Sequence, residues 1–229
     1  MKKIGLIGGT GPESTLMYYR ELNRRADMRT GGREMPDIVI ESVDFRRAWR
    51  YVESKNYDSL AEYLTEKAEC LKKAGAEITA LTAVTMHAVY DTITERTAMP
   101  LVSIPDTVCE YAKKCGYERL GLLGTALTMD SDYMKTPFIN AGTAVFVPHE
   151  DERALVAKRI FEELENGIVK ESTLSELCAV IDNMKKEHDI DAVILGCTEL
   201  PLILNTENSP VPCIDAVDVH IEKLLDMAG

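Results

Sequence analysis

Eight short apolar runs alternate with longer amphipathic stretches, and no other feature narrows the possible folds of this chain as much. The runs are KKIGLIGG, DIVIESV, EITALTA, PLVSIP, RLGLLG, AVFVP, DAVILGC and PVPCID. Between them STLMYYRELNRRADM, YDSLAEYLTEKAECLKKAG, DTVCEYAKKCG, DERALVAKRIFEELENG and LSELCAVIDNMKKEH place apolar residues at helical spacing. Strands of this length, separated by helices, assemble into a mostly parallel sheet with helices packed on it, an α/β fold. Gly75, Gly116 and Gly167 each follow a helical stretch, where a left-handed residue ends the helix.

The alternation also repeats. IGLIGGT (residues 4–10) matches LGLLGTA (120–126), and ALTAVT (80–85) matches ILGCTE (194–199), both about 115 residues apart. This predicts two similar Rossmann-like α/β domains with mostly parallel sheets, related by a pseudo-twofold: residues 1–99 plus 210–229, and residues 100–209. A chance match of common βα units is the plainer alternative. Parallel strands gather ligand loops at their carboxyl ends, so the expected site lies in the cleft between the domains. Four turns would line it, at residues 8–15, 82–87, 124–130 and 196–201. In the repeat, Ala83 falls opposite Cys197.

Composition removes several function classes. With 229 residues, 45% of them apolar, the chain can bury a core as one large domain or two small ones. The 38 acidic residues outnumber 26 basic ones, and no Lys/Arg stripe offsets the net charge of −12, which argues against nucleic acid as a partner. The apolar run at the N-terminus stops at Ile7, too short for a signal peptide, and nothing reaches transmembrane length. The six cysteines form no C-x-x-C pair and no zinc spacing, so neither a metal nor a disulfide framework is expected, and a reducing cytoplasm fits.

The turns differ in the chemistry they offer. GGTGPEST (residues 8–15) follows a strand and opens a helix, so the backbone of Gly9 and the hydroxyl of Thr10 can face an anion. It lacks the third glycine of a dinucleotide fingerprint and the Gly-Lys-Ser/Thr of a P-loop, which leaves a small carboxylate or a purely structural turn. LGCTELP (195–201) sets Cys197, Thr198 and Glu199 at the end of an apolar strand, with Pro201 suited to an early helical position. A thiol near a helix N-terminus is biased toward thiolate, whereas an inert core cysteine is the bland reading. Thr125 and Thr128 in LGTALTM are site hydroxyls or helix caps. His87 and His220 have no Ser or Cys partner that would make a hydrolase triad. Lys170, Arg46 and Arg47 either reach an anionic substrate or are solvated surface cations.

Over essentially its whole length the chain resembles the aspartate/glutamate racemase family. The resemblance is carried by IGLIGGTGPESTLMYY, ESVDF, LLGTALTM and, most specifically, ILGCTELPL. It implies an amino-acid isomerase without pyridoxal phosphate or other cofactor, in which two cysteines on opposite faces of the substrate move the α-proton. It also implies that Lys170, in NGIVKES, contacts a substrate carboxylate, that Arg46 or Arg47 takes the distal one, and that the protein is a homodimer; MYYREL and SDYMKTPF are candidate apolar interface stretches, with internal packing as the plainer reading. The chain departs from the family at one place. Where the pattern reads Cys-Asn-Thr-x-His, this sequence reads Ala83, Val84, Thr85, Met86, His87. Neither a methyl nor an isopropyl group transfers a proton, so symmetric two-thiol racemisation is not available. Three expectations follow. In the first, Cys197 is the base for one enantiomer, and Thr82, Thr85 or a water is the weaker donor opposite it. In the second, a single-cysteine decarboxylase or isomerase uses Cys197 alone. In the third, the protein binds an amino acid or dicarboxylate without turnover.

Overall fold

The computed structural model describes residues 1–229. Along the chain come β1 (Ile4–Gly8), α1 (Pro12–Thr30), β2 (Ile38–Ser42), α2 (Phe45–Glu53), α3 (Tyr57–Lys73) and β3 (Ile78–Leu81). A 3₁₀ turn (Val84–Val89), α4 (Tyr90–Arg96), β4 (Leu101–Val102), α5 (Ile104–Cys115) and β5 (Arg119–Gly124) follow. Then come α6 (Ala126–Asp130), α7 (Thr136–Asn140), β6 (Ala144–Phe146), α8 (Glu150–Glu162), α9 (Glu171–His188), β7 (Ala192–Gly196), β8 (Cys213–Asp215) and α10 (Ala216–Ala228). All eight apolar runs are strands.

The strands form two separate four-stranded sheets of the same connectivity, β2-β1-β3-β4 and β6-β5-β7-β8. Every pairing is parallel. β1, β3 and β7 are buried at every position, as strands with both faces covered must be. The edge strands β2 and β6 are only partly buried.

Two compact units contain the sheets: residues 1–103 with 220–229, and residues 104–219. The expected boundaries at 99 and 209 thus shift. Residues 210–219 go with the second unit because β8 hydrogen-bonds to β7 along Val193↔Cys213 to Leu195↔Asp215. The end of α10 goes with the first. There, Glu222 takes Arg25 and Arg29 of α1, Asp226 takes Arg29, and Lys2 N–H donates to Ala228 O. The stretches expected at an interface are partly internal: Tyr18, Met134 and Phe138 are fully buried, while Tyr19 is half-exposed. No helix is long and apolar enough to cross a membrane.

Candidate active site

In the first unit the end of β3 meets the start of α1. Gly9 holds φ +82°, a left-handed conformation suited to glycine, and a side chain there would collide with the backbone of Val43. The Gly9 N–H donates to Thr15 Oγ1 at 2.9 Å, and Ser14 Oγ donates to Thr82 O at 2.5 Å. Thr82 is wholly buried. Its hydroxyl lies 3.2 Å from Thr15 Oγ1 and donates to Ile7 O at 3.3 Å. Thr82 is therefore part of the framework joining β1, β3 and α1, which corrects its expected role as a donor facing substrate. Thr85 is only half-buried, one residue into the 3₁₀ turn. Ala83 and Val84 are buried and apolar, with Ala83 in extended backbone.

One histidine lies within that turn and a second packs against it. His87 Nδ1 donates to the carbonyls of Ala83 and Val84, each at 3.2 Å. His220 donates from Nε2 to Val102 O at 3.1 Å, so its Nδ1 accepts from the Tyr18 hydroxyl at 2.7 Å. Burial lowers the pKa of His87 to about 4 and of His220 to about 3, the latter lowered further by His87. Both are neutral structural props of the turn. Since the folded values lie below the unfolded 6.5, the unfolded chain gains protons first as pH falls. Stability should be unaffected above pH 7 and fall from about pH 6.5 toward 4 and 3, by roughly 1.4 kcal/mol per pH unit for each histidine. Urea unfolding between pH 7 and 5 checks this. A flat stability over that range would contradict the two buried neutral rings.

In the second unit the ends of β5 and β7 close over one threonine. Side chains at Gly124 or Gly196 would press on the Thr128 methyl at 2.9 and 3.1 Å, so both strand ends need glycine. Thr125 caps α6 by accepting the Thr128 N–H, as the capping alternative expected. The Thr128 hydroxyl lies 3.0 Å from both Thr125 Oγ1 and the Tyr133 hydroxyl.

Cys197 begins the turn after β7, within a cluster that includes Leu195, Leu200, Ile203, Ile160 and Leu164, and is 8% exposed. Its thiol donates to Glu199 Oε2 at 2.8 Å. Burial, then the charge of Glu199 and the hydrogen bond to it, push the thiol well above its ordinary pKa. This corrects the expected thiolate bias. Only a three-residue 3₁₀ turn (Leu200–Leu202) follows, with Pro201 near its start, so no helix dipole acts on the sulfur. Glu199 and Thr198 are half-buried. Glu165 was not singled out from sequence; its carboxyl is pushed up by desolvation and by the charge of Glu199. Tyr133 was also missed as a site residue, because a hydroxyl partner five residues from Thr128 leaves no periodic signal.

The register supports the internal equivalence of Ala83 and Cys197. Ile7 pairs with Leu81 in the first sheet and Leu123 with Leu195 in the second, and each turn residue lies two positions further on. The expected cations are differently disposed. Arg46 is exposed without a side-chain partner, whereas Arg47 lies over the Tyr63 ring at 4.1 Å and donates to the Tyr51 hydroxyl at 3.2 Å. Lys170 donates to Glu163 Oε1 at 3.1 Å. The Glu163 carboxyl is held below its usual range by Thr173, then by Lys170 and Arg159.

Comparison with known proteins gives these turns a context. The Asp/Glu/Hydantoin racemase family model matches residues 7–224. A provisionally named Asp/Glu racemase from Yersinia pestis is 33% identical, with 100% of this chain and 99% of that one covered at a TM-score of 0.94. An aspartate racemase homologue from Pyrococcus horikoshii OT3 is 36% identical over 100% and 99% of the two chains, at a TM-score of 0.88. The broad specificity amino-acid racemase RacX of Bacillus subtilis (strain 168) is 22% identical over 218 residues, covering 93% of this chain and 92% of that protein. On this near-complete match, the chain belongs to the Asp/Glu/Hydantoin racemase family.

Proposed function

We propose that the protein removes and returns the α-proton of an amino acid without a cofactor, using Cys197 as its acid–base group. The observation that carries this reading is the buried Cys197 thiol donating to the Glu199 carboxylate at the end of β7. Glu199 is placed to take the thiol proton, and the thiolate then takes the Cα proton. A thiolate made costly by desolvation is a stronger base once formed, which suits so weak a carbon acid. The second sheet also offers the half-buried Thr125 and Thr198 as hydrogen-bond donors to a developing carboxylate charge, with the wholly buried Thr128 holding Thr125 in place.

Inversion needs a second proton donor. At the equivalent turn Ala83 has none and the Thr82 hydroxyl is enclosed, which leaves Thr85 or a water. A hydroxyl is a poor acid at neutral pH, so turnover should be slow and faster for one enantiomer. The exposed Arg46, which has no side-chain partner, favours a dicarboxylic amino acid, and the six free cysteines suit a reducing cytoplasm. The second reading, a one-thiol decarboxylation in which Cys197 only protonates an enediolate, is favoured by the same Ala83.

Incubation in heavy water with L- and D-aspartate and glutamate separates these readings by NMR. Deuterium should enter one enantiomer faster than configuration inverts, and its rate should climb with pH as the thiol ionises. Carbon dioxide release from malonate-type acids would select the second reading. No exchange across a broad amino-acid panel would refute the first.

A further inference from the structure

The second unit contains a chain of three hydroxyls that the proposed reaction uses only at one end. Tyr133 Oη lies 3.0 Å from Thr128 Oγ1, which lies 3.0 Å from Thr125 Oγ1. Thr128 is wholly buried, whereas Thr125 and Tyr133 at the two ends are half-buried. The side chain of Thr128 is fixed by the strands beneath it. Its methyl fills the space that Cβ atoms at Gly124 and Gly196 would enter, at 2.9 and 3.1 Å, and the hydroxyl is left to face Thr125 and Tyr133. The segment that carries Tyr133 is anchored as well. Met134 beside it is fully buried, Lys135 Nζ donates to Met129 O at 3.3 Å, and the N–H groups of Lys135 and Thr136 both donate to Asp132 O at 2.8 Å.

Each hydroxyl has a single hydrogen to donate, so the chain has a direction. Thr125 Oγ1 already accepts the Thr128 N–H at 3.3 Å as the cap of α6. An anion at Thr125 accepts that hydroxyl's own hydrogen. The Thr128 hydrogen then points to Thr125 and the Tyr133 hydrogen to Thr128, and each bond polarises the next. Three hydroxyls thus deliver one aimed donor. The first unit has no counterpart. There Ser14, Thr15 and Thr82 each donate to a backbone carbonyl, of Thr82, Gly11 and Ile7, and the buried Thr10 Oγ1 has no hydrogen-bond partner.

We infer that Tyr133 is a positioning residue, acting through Thr128 to hold the Thr125 hydroxyl as a donor to the substrate carboxylate. The inference rests on the reading of the chain as an enzyme of amino acids with Thr125 as a donor, and extends that reading to a residue acting at two removes. Wild type, Tyr133→Phe, Thr125→Val and the double variant are compared by α-deuterium exchange. Affinity is read by calorimetry with the same four changes made in Cys197→Ala, where turnover does not intervene. The probe is the amino acid that exchanges fastest, or L-aspartate where none does.

Tyr133→Phe, which keeps the ring, should lower exchange and affinity about fivefold, the worth of one neutral hydrogen bond. Thr125→Val should lower exchange about a hundredfold, and Thr125→Ser, which keeps the hydroxyl, should restore it. The double variant decides. Adding Tyr133→Phe to Thr125→Val should change nothing further, because the chain has lost its end, whereas a tyrosine that only packs would lower both readouts by the same factor in either background. Wild-type behaviour of Tyr133→Phe, or equal factors in the two backgrounds, would overturn the inference. The two proposals fail separately. If no amino acid exchanges while affinity still shows the coupling, the proposed reaction is wrong and the role of Tyr133 stands. If exchange occurs and neither readout shows coupling, the role of Tyr133 is wrong and the reaction stands. A wild type that neither exchanges nor binds refutes both.

Discussion

Cys197→Ala is expected to lower α-hydrogen exchange by about a thousandfold or more, in line with the loss of a positioned acid–base group. The structure sharpens this expectation beyond the loss of a nucleophile. Cys197 sits in an apolar cluster with a carboxylate acceptor for its proton, and nothing else beside Glu199 in that turn is a thiol or an imidazole. Truncation to alanine removes one sulfur and leaves Glu199 half-exposed, so the fold should survive and the loss should appear in kcat. Glu199→Gln provides the companion measurement. The Glu199 charge and hydrogen bond both raise the thiol pKa, so their removal should move the alkaline rise of the rate to lower pH while reducing its height. Site-resolved alkylation by mass spectrometry follows the same shift on Cys197 itself, apart from the exposed Cys70 and Cys115. Survival of exchange in Cys197→Ala would refute the central assignment.

The second large effect is a gain. Ala83→Cys should raise racemisation in both directions by about a hundredfold, because a thiol replaces a hydroxyl or water as the second proton donor. Its basis is the register equivalence of Ala83 with Cys197, two residues beyond the paired Ile7↔Leu81 and Leu123↔Leu195. The family pattern also asks for asparagine at Val84, but Val84 is buried, and an amide there needs partners to offset its desolvation. The single substitution is the cleaner first test. The gain should vanish in the double variant Ala83→Cys with Cys197→Ala, since neither thiol inverts configuration alone. Equal rates for Ala83→Cys and wild type would mean that this turn does not act with Cys197.

Much of the fold was legible because its strands are short, apolar and separated by long amphipathic helices. All eight strands and five of the six helices of twelve or more residues follow that pattern. The elements not anticipated are α2, α7 and α10, and α4 and α6 were expected only as helices of unstated extent after the turns at 82–87 and 124–130. The segments α4, α6 and α7 are five to seven residues long, too short to show a period. The helix α2 presents Phe45, Arg46, Arg47, Trp49 and Arg50 to solvent, so its apolar face shrinks to Ala48 and Val52. The helix α10 was hidden by the turn-like CIDAVD, where Asp215 accepts the N–H groups of Val217 and Asp218 and starts the helix instead. The domain boundary was off by about ten residues at its second crossing because strand pairing, a long-range property, decides where β8 belongs.

The sequence by itself determined which groups are present at the strand ends: a thiol at 197, a methyl at 83, and threonines around both. It also determined the repeat that makes those two positions counterparts, because strand and helix periodicities are local properties of a chain. Tertiary structure alone decided what each group can do. Whether Cys197 leans toward thiol or thiolate, whether Thr82 or Thr10 has a hydroxyl to offer, and whether Arg47 and Lys170 are already paired depend on which neighbours displace water and at what distance. Desolvation and hydrogen bonding act through space, so residues 68 and 75 positions apart set the state of Thr82.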